Sequence, residues 1–192
     1  MARYTEKLIL NTFEEMLESM SFDKITVSAL TKKCDISPNT FYYHYKDIYE
    51  LLESWFKNQT EEFLSSREEG EGWEETIKAV LKTLQQRPNI VYNVYDSLSR
   101  ENLERYVFKS AEGAFFNLAK KKTEGFGIDP EMLKTISDIC CYAVLGFFLK
   151  FLWSHMSLDI DKSINQISRA INTAIEMYII NALSGVDILG EI

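Results

Sequence analysis

Apolar positions recur at three- and four-residue intervals along nearly the whole chain. From Thr5 to Met20, the residues Leu8, Ile9, Thr12, Phe13, Met16, Leu17 and Met20 fall on one stripe, which predicts an amphipathic helix with one face in a core. A loop over residues 21–24 leads into a shorter helix over about 26–34, with Thr26 as its N-cap and Val27 and Leu30 facing inward. After a break at Asp35 and Ile36, Ser37-Pro38 opens another helix, with Ser as N-cap and Pro at the first helical position. That helix must be short, because Asp47 with Glu50 three residues on reads as a capping box that starts the next one. The helix so started carries Leu51, Leu52, Trp55, Phe56 and Phe63.

Beyond Trp73 the helical pattern resumes, interrupted at Arg87-Pro88 and at "GFGIDP", residues 125–130. The longest helices are predicted over roughly 131–155 and 161–184. In the last one Ile164, Ile167, Ile171, Ala174, Tyr178 and Ala182 form a seam, broadened by Ile175 and Ile179. No stretch alternates with the period of a strand, so the predicted fold is all-α. The charged, glycine-bearing stretch "SSREEGEG", residues 65–72, is the natural linker. It divides the chain into residues 1–46, a connecting helix and linker over 47–72, and a helical body over 73–192.

The short helix poses the functional question, since "SPNTFYYHYKD", residues 37–47, holds three tyrosines, a phenylalanine and one of the two histidines. With Phe41 at the origin and 100° per residue, Pro38 and Tyr45 fall on its face, while Asn39, Tyr43 and Lys46 lie roughly opposite and Thr40 and Tyr42 flank them. Phe41 and Tyr45 are therefore expected to anchor the helix, and Asn39, Thr40, Tyr42 and Tyr43 to look outward. A helix, a tight turn and a second helix bearing outward amide, hydroxyl and phenol groups match the helix-turn-helix plan for the DNA major groove. Asn can pair with adenine, and Thr or Tyr can touch a thymine methyl or a phosphate. On the residues alone, a solvated helix whose tyrosines cover neighbouring apolar surface fits equally well.

The longer stretch "ITVSALTKKCDISPNTFYYHYKDIYELLESWF", residues 25–56, resembles the N-terminal domain of TetR-family transcriptional regulators, which are bacterial proteins. The resemblance rests on Thr26-Val27, Leu30, Ile36-Ser37, Thr40-Phe41-Tyr42, Tyr45, Lys46 and Glu50-Leu51-Leu52. It implies that Pro38, Asn39, Thr40, Tyr42, Tyr43 and His44 approach double-stranded DNA and that Thr26 and Lys46 hold phosphates. His44 lies on the flank, where a packing role competes with base reading. There are two departures from the family pattern. Asp35 stands where glycine is frequent, and Asp tolerates left-handed geometry. Ile48 stands where a lysine is frequent, which would weaken backbone affinity and its salt dependence.

The same resemblance implies a homodimer on an inverted repeat, with the last two helices of each chain forming a four-helix interface. The expected interface residues are Ile139, Ala143, Gly146 and Lys150, with Val144, Phe147, Phe148, Phe151 and Leu152 beside them and the 164–182 seam opposite; the alternative is that this seam is buried within one chain. It implies as well an effector, either a small molecule or a partner protein, acting on the C-terminal body. Residues 90–108, "IVYNVYDSLSRENLERYVF", resemble the subgroup that includes activators of dihydroxyacetone kinase operons. Candidate pocket residues are Tyr92, Tyr95, Tyr106, Phe115, Phe116, Tyr142, Trp153 and His155, although aromatics at helical spacing are more often core.

Charge qualifies the nucleic-acid reading without excluding it. The formal net charge is −8, yet residues 1–46 hold six basic and six acidic residues, so the whole deficit lies beyond residue 46. Cys34, Cys140 and Cys141 suit neither a disulfide framework nor a metal site, and read as buried thiols in a reducing cytoplasm. No signal peptide is apparent, and the most apolar window, Ile139 to Leu149, is too short to span a bilayer. With two distant histidines, no phosphate-binding loop and no nucleophile–base pair, neither an enzyme nor a cofactor is implied. The adjacent pairs Glu14-Glu15 and Glu74-Glu75 suit solvent. The rival reading is a protein-interaction module that kept the fold and lost DNA binding, and Ile48 and the acidic body favour it.

Overall fold

The computed structural model describes residues 2–66 and 72–184, and all regular structure among them is helical. The α-helices are α1 (Ala2–Ser19), α2 (Val27–Cys34), α3 (Pro38–His44), α4 (Ile48–Ser65), α5 (Trp73–Gln86), α6 (Pro88–Tyr95), α7 (Arg100–Lys122), α8 (Pro130–Trp153) and α9 (Ile160–Ser184). A 3₁₀ turn over Phe22–Lys24 follows α1. Residues 67–71 of the expected linker lie outside the described residues.

The chain forms two compact units, one of residues 1–70 with 83–103, the other of residues 71–82 with 104–192. In the first, Ile9, Phe13 and Leu17 of α1 share a core with Leu30, Phe41, Tyr45, Leu51, Leu52 and Trp55. Ile90 and Val94 of α6 enter the same core, with Leu98 packed against it, so α6 and the residues just after it pack on the N-terminal helices. Phe13 meets Phe22 and Trp55 edge-on, with centroids 6.2 and 6.4 Å away.

One polar cluster ties these helices together. The Glu14 carboxylate accepts from the Trp55 indole at 2.8 Å and the Gln59 amide at 2.8 Å, both on α4. It also accepts from Arg87, the N-cap residue of α6, whose guanidinium reaches Glu18 at 3.1 Å as well. Glu14 is thus partly buried and fully engaged, contrary to the expectation that it faces solvent. Its spacing explains why, since it lies four residues after Leu10 and three before Leu17, on the border of the apolar stripe. Asn93 of α6 adds a bond to the Leu17 carbonyl at 2.8 Å.

In the second unit, Phe115 and Ala119 of α7, Ile136, Cys140, Cys141 and Val144 of α8, and Ile171 and Ile175 of α9 form the core. Burial pushes the Cys140 thiol up and the Cys141 thiol to about 11, so both stay protonated and act as small apolar groups. Glu74, also expected to face solvent, accepts from Ser168 at 2.6 Å, while Glu75 is exposed and pairs with Lys78.

The core takes residues that the sequence pattern assigned to an interface between chains. Val144, Phe147, Phe151 and Leu152 are buried within the protomer, as are Ile164, Ile171 and Ile175. The outward faces lie elsewhere. On α8 the exposed residues Ile139, Tyr142, Ala143, Gly146, Lys150 and Trp153 follow one another at helical spacing, and on α9 Ala170, Thr173, Ala174, Met177 and Ile180 do the same. The side chains of Tyr178, Ile179 and Ala182 lie outside those described. At 24 residues α8 is also long and apolar enough to cross a membrane, which the window Ile139–Leu149 alone did not suggest, but over half of its most apolar stretch is buried inside the fold.

The turn between α2 and α3 sets the angle of the site. The Ile36 amide bonds the Thr31 carbonyl at 3.0 Å and the Asp35 amide the Lys32 carbonyl at 3.3 Å, the paired bonds of a Schellman ending. Asp35 holds φ 54° and ψ 44°, the left-handed conformation in which an aspartate stands for glycine. Replacing it with a β-branched residue is expected to be costly. Asp35→Val should lower the unfolding free energy by about 1–2 kcal/mol in urea titration, with an unchanged m-value.

Candidate nucleic-acid interface

The α2 and α3 helices are each started by a side-chain cap. Thr26 Oγ1 accepts the Ala29 amide at 3.2 Å, and Ser37 Oγ accepts the Thr40 amide at 3.1 Å. Pro38 occupies the first turn of α3, where a missing N–H costs nothing. The chain then leaves the helix at Tyr45, which is extended at φ −139° and ψ 134°. Asp47 Oδ1 accepts the Tyr49 and Glu50 amides at 2.9 Å, while the Glu50 carboxylate reaches back to the Lys46 amide, which closes the predicted capping box one residue early.

Seven residues are too few for a helix to persist alone in water. Phe41, fully buried, and Tyr45, 4% exposed, fix α3 to the core of the first unit, their rings 5.7 Å apart. Burial also pushes the Tyr45 phenol up, so it stays neutral. The opposite face is open. Asn39 is exposed and its amide makes no hydrogen bond among the described residues, while Tyr42 and Tyr43 are 56% and 79% exposed. The inward Phe41 and Tyr45 and the outward Asn39, Tyr42 and Tyr43 therefore follow the prediction, whereas Thr40 is half-buried and Pro38 is exposed.

Two predicted site residues are less free than the rest. Thr40 is half-buried and its hydroxyl lies 2.9 Å from that of Ser37, so it shares a hydrogen bond within the helix cap. His44 is half-buried, its ring 5.2 Å from that of Tyr43 and 6.2 Å from that of Tyr45. Thr26 is exposed with its hydroxyl hydrogen unspent, and Lys46 is exposed just past the end of α3. Among the described residues Lys24, Lys32 and Lys46 have no carboxylate partner, whereas Lys33 pairs with Glu15 at 3.0 Å. Ile48, where a cation is frequent, packs against the core instead.

The aromatic residues proposed for an effector pocket are divided between the two units. Tyr92 and Tyr95 belong to α6 in the first unit, with ring centroids 6.2 Å apart. In the second unit Phe115 is buried 5.3 Å from Trp73, a core position. Tyr106 is half-buried, Phe116 is 38% exposed, and Tyr142 is exposed with its ring 5.1 Å from that of Phe108. Trp153 is exposed at the end of α8, and His155 sits in the turn beyond it at φ 51°. Two open cavities do occur in the second unit. Glu74, Glu75, Asn165, Ser168 and Arg169 line one, and Glu112, Gly113, Phe116, Lys134, Ser137 and Asp138 the other, so of the aromatic candidates only Phe116 borders either.

Comparison with known proteins agrees with this architecture. Residues 71–173 match the TetR-type family model described as the transcriptional regulator C-terminal region. The chain is 28% identical over 80 residues to the HTH-type dhaKLM operon transcriptional activator DhaS of Lactococcus lactis, a match spanning 42% of this chain and 43% of that protein. Among solved structures, the dihydroxyacetone kinase operon activator DhaS superposes with a TM-score of 0.65 at 18% identity, over 90% of this chain and 97% of that one. A transcriptional regulator from Aquifex aeolicus superposes at 0.54 and 18% identity, over 88% and 99%. Both structures share the fold of this chain.

The two faces of α3 should respond differently to truncation. Phe41→Ala is expected to cost roughly 3–5 kcal/mol of stability. Tyr43→Ala should stay within about 0.5 kcal/mol of wild type, and chemical denaturation of both variants checks the contrast.

Proposed function

The chain belongs to the TetR family of transcriptional regulators, and from that premise we propose that it binds double-stranded DNA through α2 and α3 as a homodimer on an inverted repeat. The observation that carries this reading is the exposed row of Asn39, Tyr42 and Tyr43 on a helix held rigid by Phe41 and Tyr45. An aromatic surface left in water on a pinned seven-residue helix has no use in the protomer's own core. It suits an apolar, hydrogen-bonding partner such as the edges of bases. Thr26, Lys46 and the unpaired Lys24 and Lys32 supply phosphate contacts around it.

The dimer we propose uses the faces of α8 and α9 that the protomer leaves uncovered. Ala143, Gly146, Ala170 and Ala174 are small enough for helices to approach closely, and Ile139, Tyr142, Met177 and Ile180 provide apolar area. Two copies of α3 would then lie about 34–36 Å apart, one helical turn of DNA. An effector or partner acting on the second unit would change that separation and so the affinity. On this reading residues 1–46 read DNA, 47–72 connect, and 73–192 receive the signal and dimerise.

Selection of random duplexes by the purified protein at moderate salt tests the DNA reading. It should enrich an inverted repeat, and an Asn39→Ala/Tyr43→Ala variant with normal helical content should fail to retain it. Enrichment of nothing by the wild type would favour the interaction module that lost DNA. The dimer has its own measurement. Light scattering on Ala143→Glu/Met177→Glu should report a monomer where the wild type is a dimer, with unchanged circular dichroism.

A further inference from the structure

The α3 helix, PNTFYYH, contains no lysine or arginine. Specific protein–DNA contacts are made most often by a guanidinium or ammonium group to the paired acceptors of guanine, O6 and N7. The outward face of α3 cannot make that contact. The cations nearest in sequence do not supply it either. Lys33 is on α2 and paired with Glu15 at 3.0 Å, and Lys46 lies beyond the extended residue Tyr45, off the helix.

The free groups on α3 have a chemistry of their own. Asn39 offers an unbonded amide, which donates and accepts side by side as the N7 and N6 of adenine require. Tyr42 and Tyr43 offer exposed rings, whose apolar faces suit the thymine 5-methyl group. The Thr40 hydroxyl shares a hydrogen bond with Ser37 and its side chain is half-buried, and the His44 ring is flanked by Tyr43 and Tyr45. Resting on the DNA-binding reading above, we propose that the base pairs beneath α3 are A·T pairs, with Asn39 reading adenine and Tyr42 and Tyr43 reading thymine methyls. Phosphate affinity comes from residues outside α3, so specificity and affinity are carried by separate groups.

The experiment uses the full-length protein and the duplex it selects, with fluorescence anisotropy at one fixed salt concentration. Replacing the central A·T pairs of each half-site with G·C should weaken binding about ten- to a hundredfold. Replacing thymine by deoxyuridine removes only the methyl group and should weaken binding about fourfold per contacted base. Asn39→Ala should lose the preference for A·T over G·C while keeping the salt dependence, and Asn39→Arg should move the preference toward guanine. A selected half-site with G·C pairs at its centre, still preferred by Asn39→Ala, would overturn this inference and leave DNA binding standing. Failure to select any duplex would overturn both.

Discussion

A seven-residue helix has too few internal hydrogen bonds to survive in water, so α3 exists only because Phe41 and Tyr45 are taken into a core built by other helices. Everything asked of its outer face depends on that apolar contact. The two anchors are four residues apart, one on the helix and one just past its end, so they fix both its position and its rotation. Side chains on the far face are then presented at a constant angle. Preorganisation of this kind removes the ordering cost that a flexible reading segment would meet on binding. The exposed tyrosines complement it, because a phenol ring loses little rotamer freedom when it docks.

The core that holds α3 is itself held by a charge. Glu14 gathers an indole, an amide and a guanidinium from α4 and from the start of α6 onto one carboxylate of α1. Hydrogen bonds to an ionised acceptor are stronger than neutral ones, and three partners satisfy a carboxylate that partial burial would otherwise penalise. Because Arg87 also bonds Glu18 on α1, a movement of α6 would have to break contacts on the helix against which α3's anchors pack. The buried residues of α6, Ile90 and Val94, reinforce that link with apolar surface. The α6 helix is thus bound to the N-terminal helices by both polar and apolar contacts.

Much of this was legible in the sequence because its signals are local. Caps at Thr26, Ser37 and Asp47, the Pro38 start and the stripe through Phe13 depend on neighbours within a turn or two, and the structure has all of them. The left-handed Asp35 is legible for the same reason. What the periodicity could not resolve is which partner an apolar face meets. Val144, Phe151 and Ile171 are spaced like an interface between chains and are spent inside one. Glu14 and Arg87 are 73 residues apart, and nothing in either local pattern pairs them.

The division of α8 into two faces follows from side-chain size. Its inward face carries Val144, Phe147, Phe151 and Leu152, which fill volume and satisfy the protomer. Its outward face carries Ala143 and Gly146, which leave volume unfilled beside Ile139 and Tyr142. A lone helix in water gains nothing from small residues flanked by large exposed apolar ones. Against a second helix, the same arrangement allows close backbone approach and lets the large side chains interlock. The outward face of α9, with Ala170 and Ala174 beside Met177 and Ile180, repeats the pattern. Two helices that independently leave small and large apolar residues outward suit the proposed dimer, in which a second copy of the same pair would supply the matching relief by symmetry.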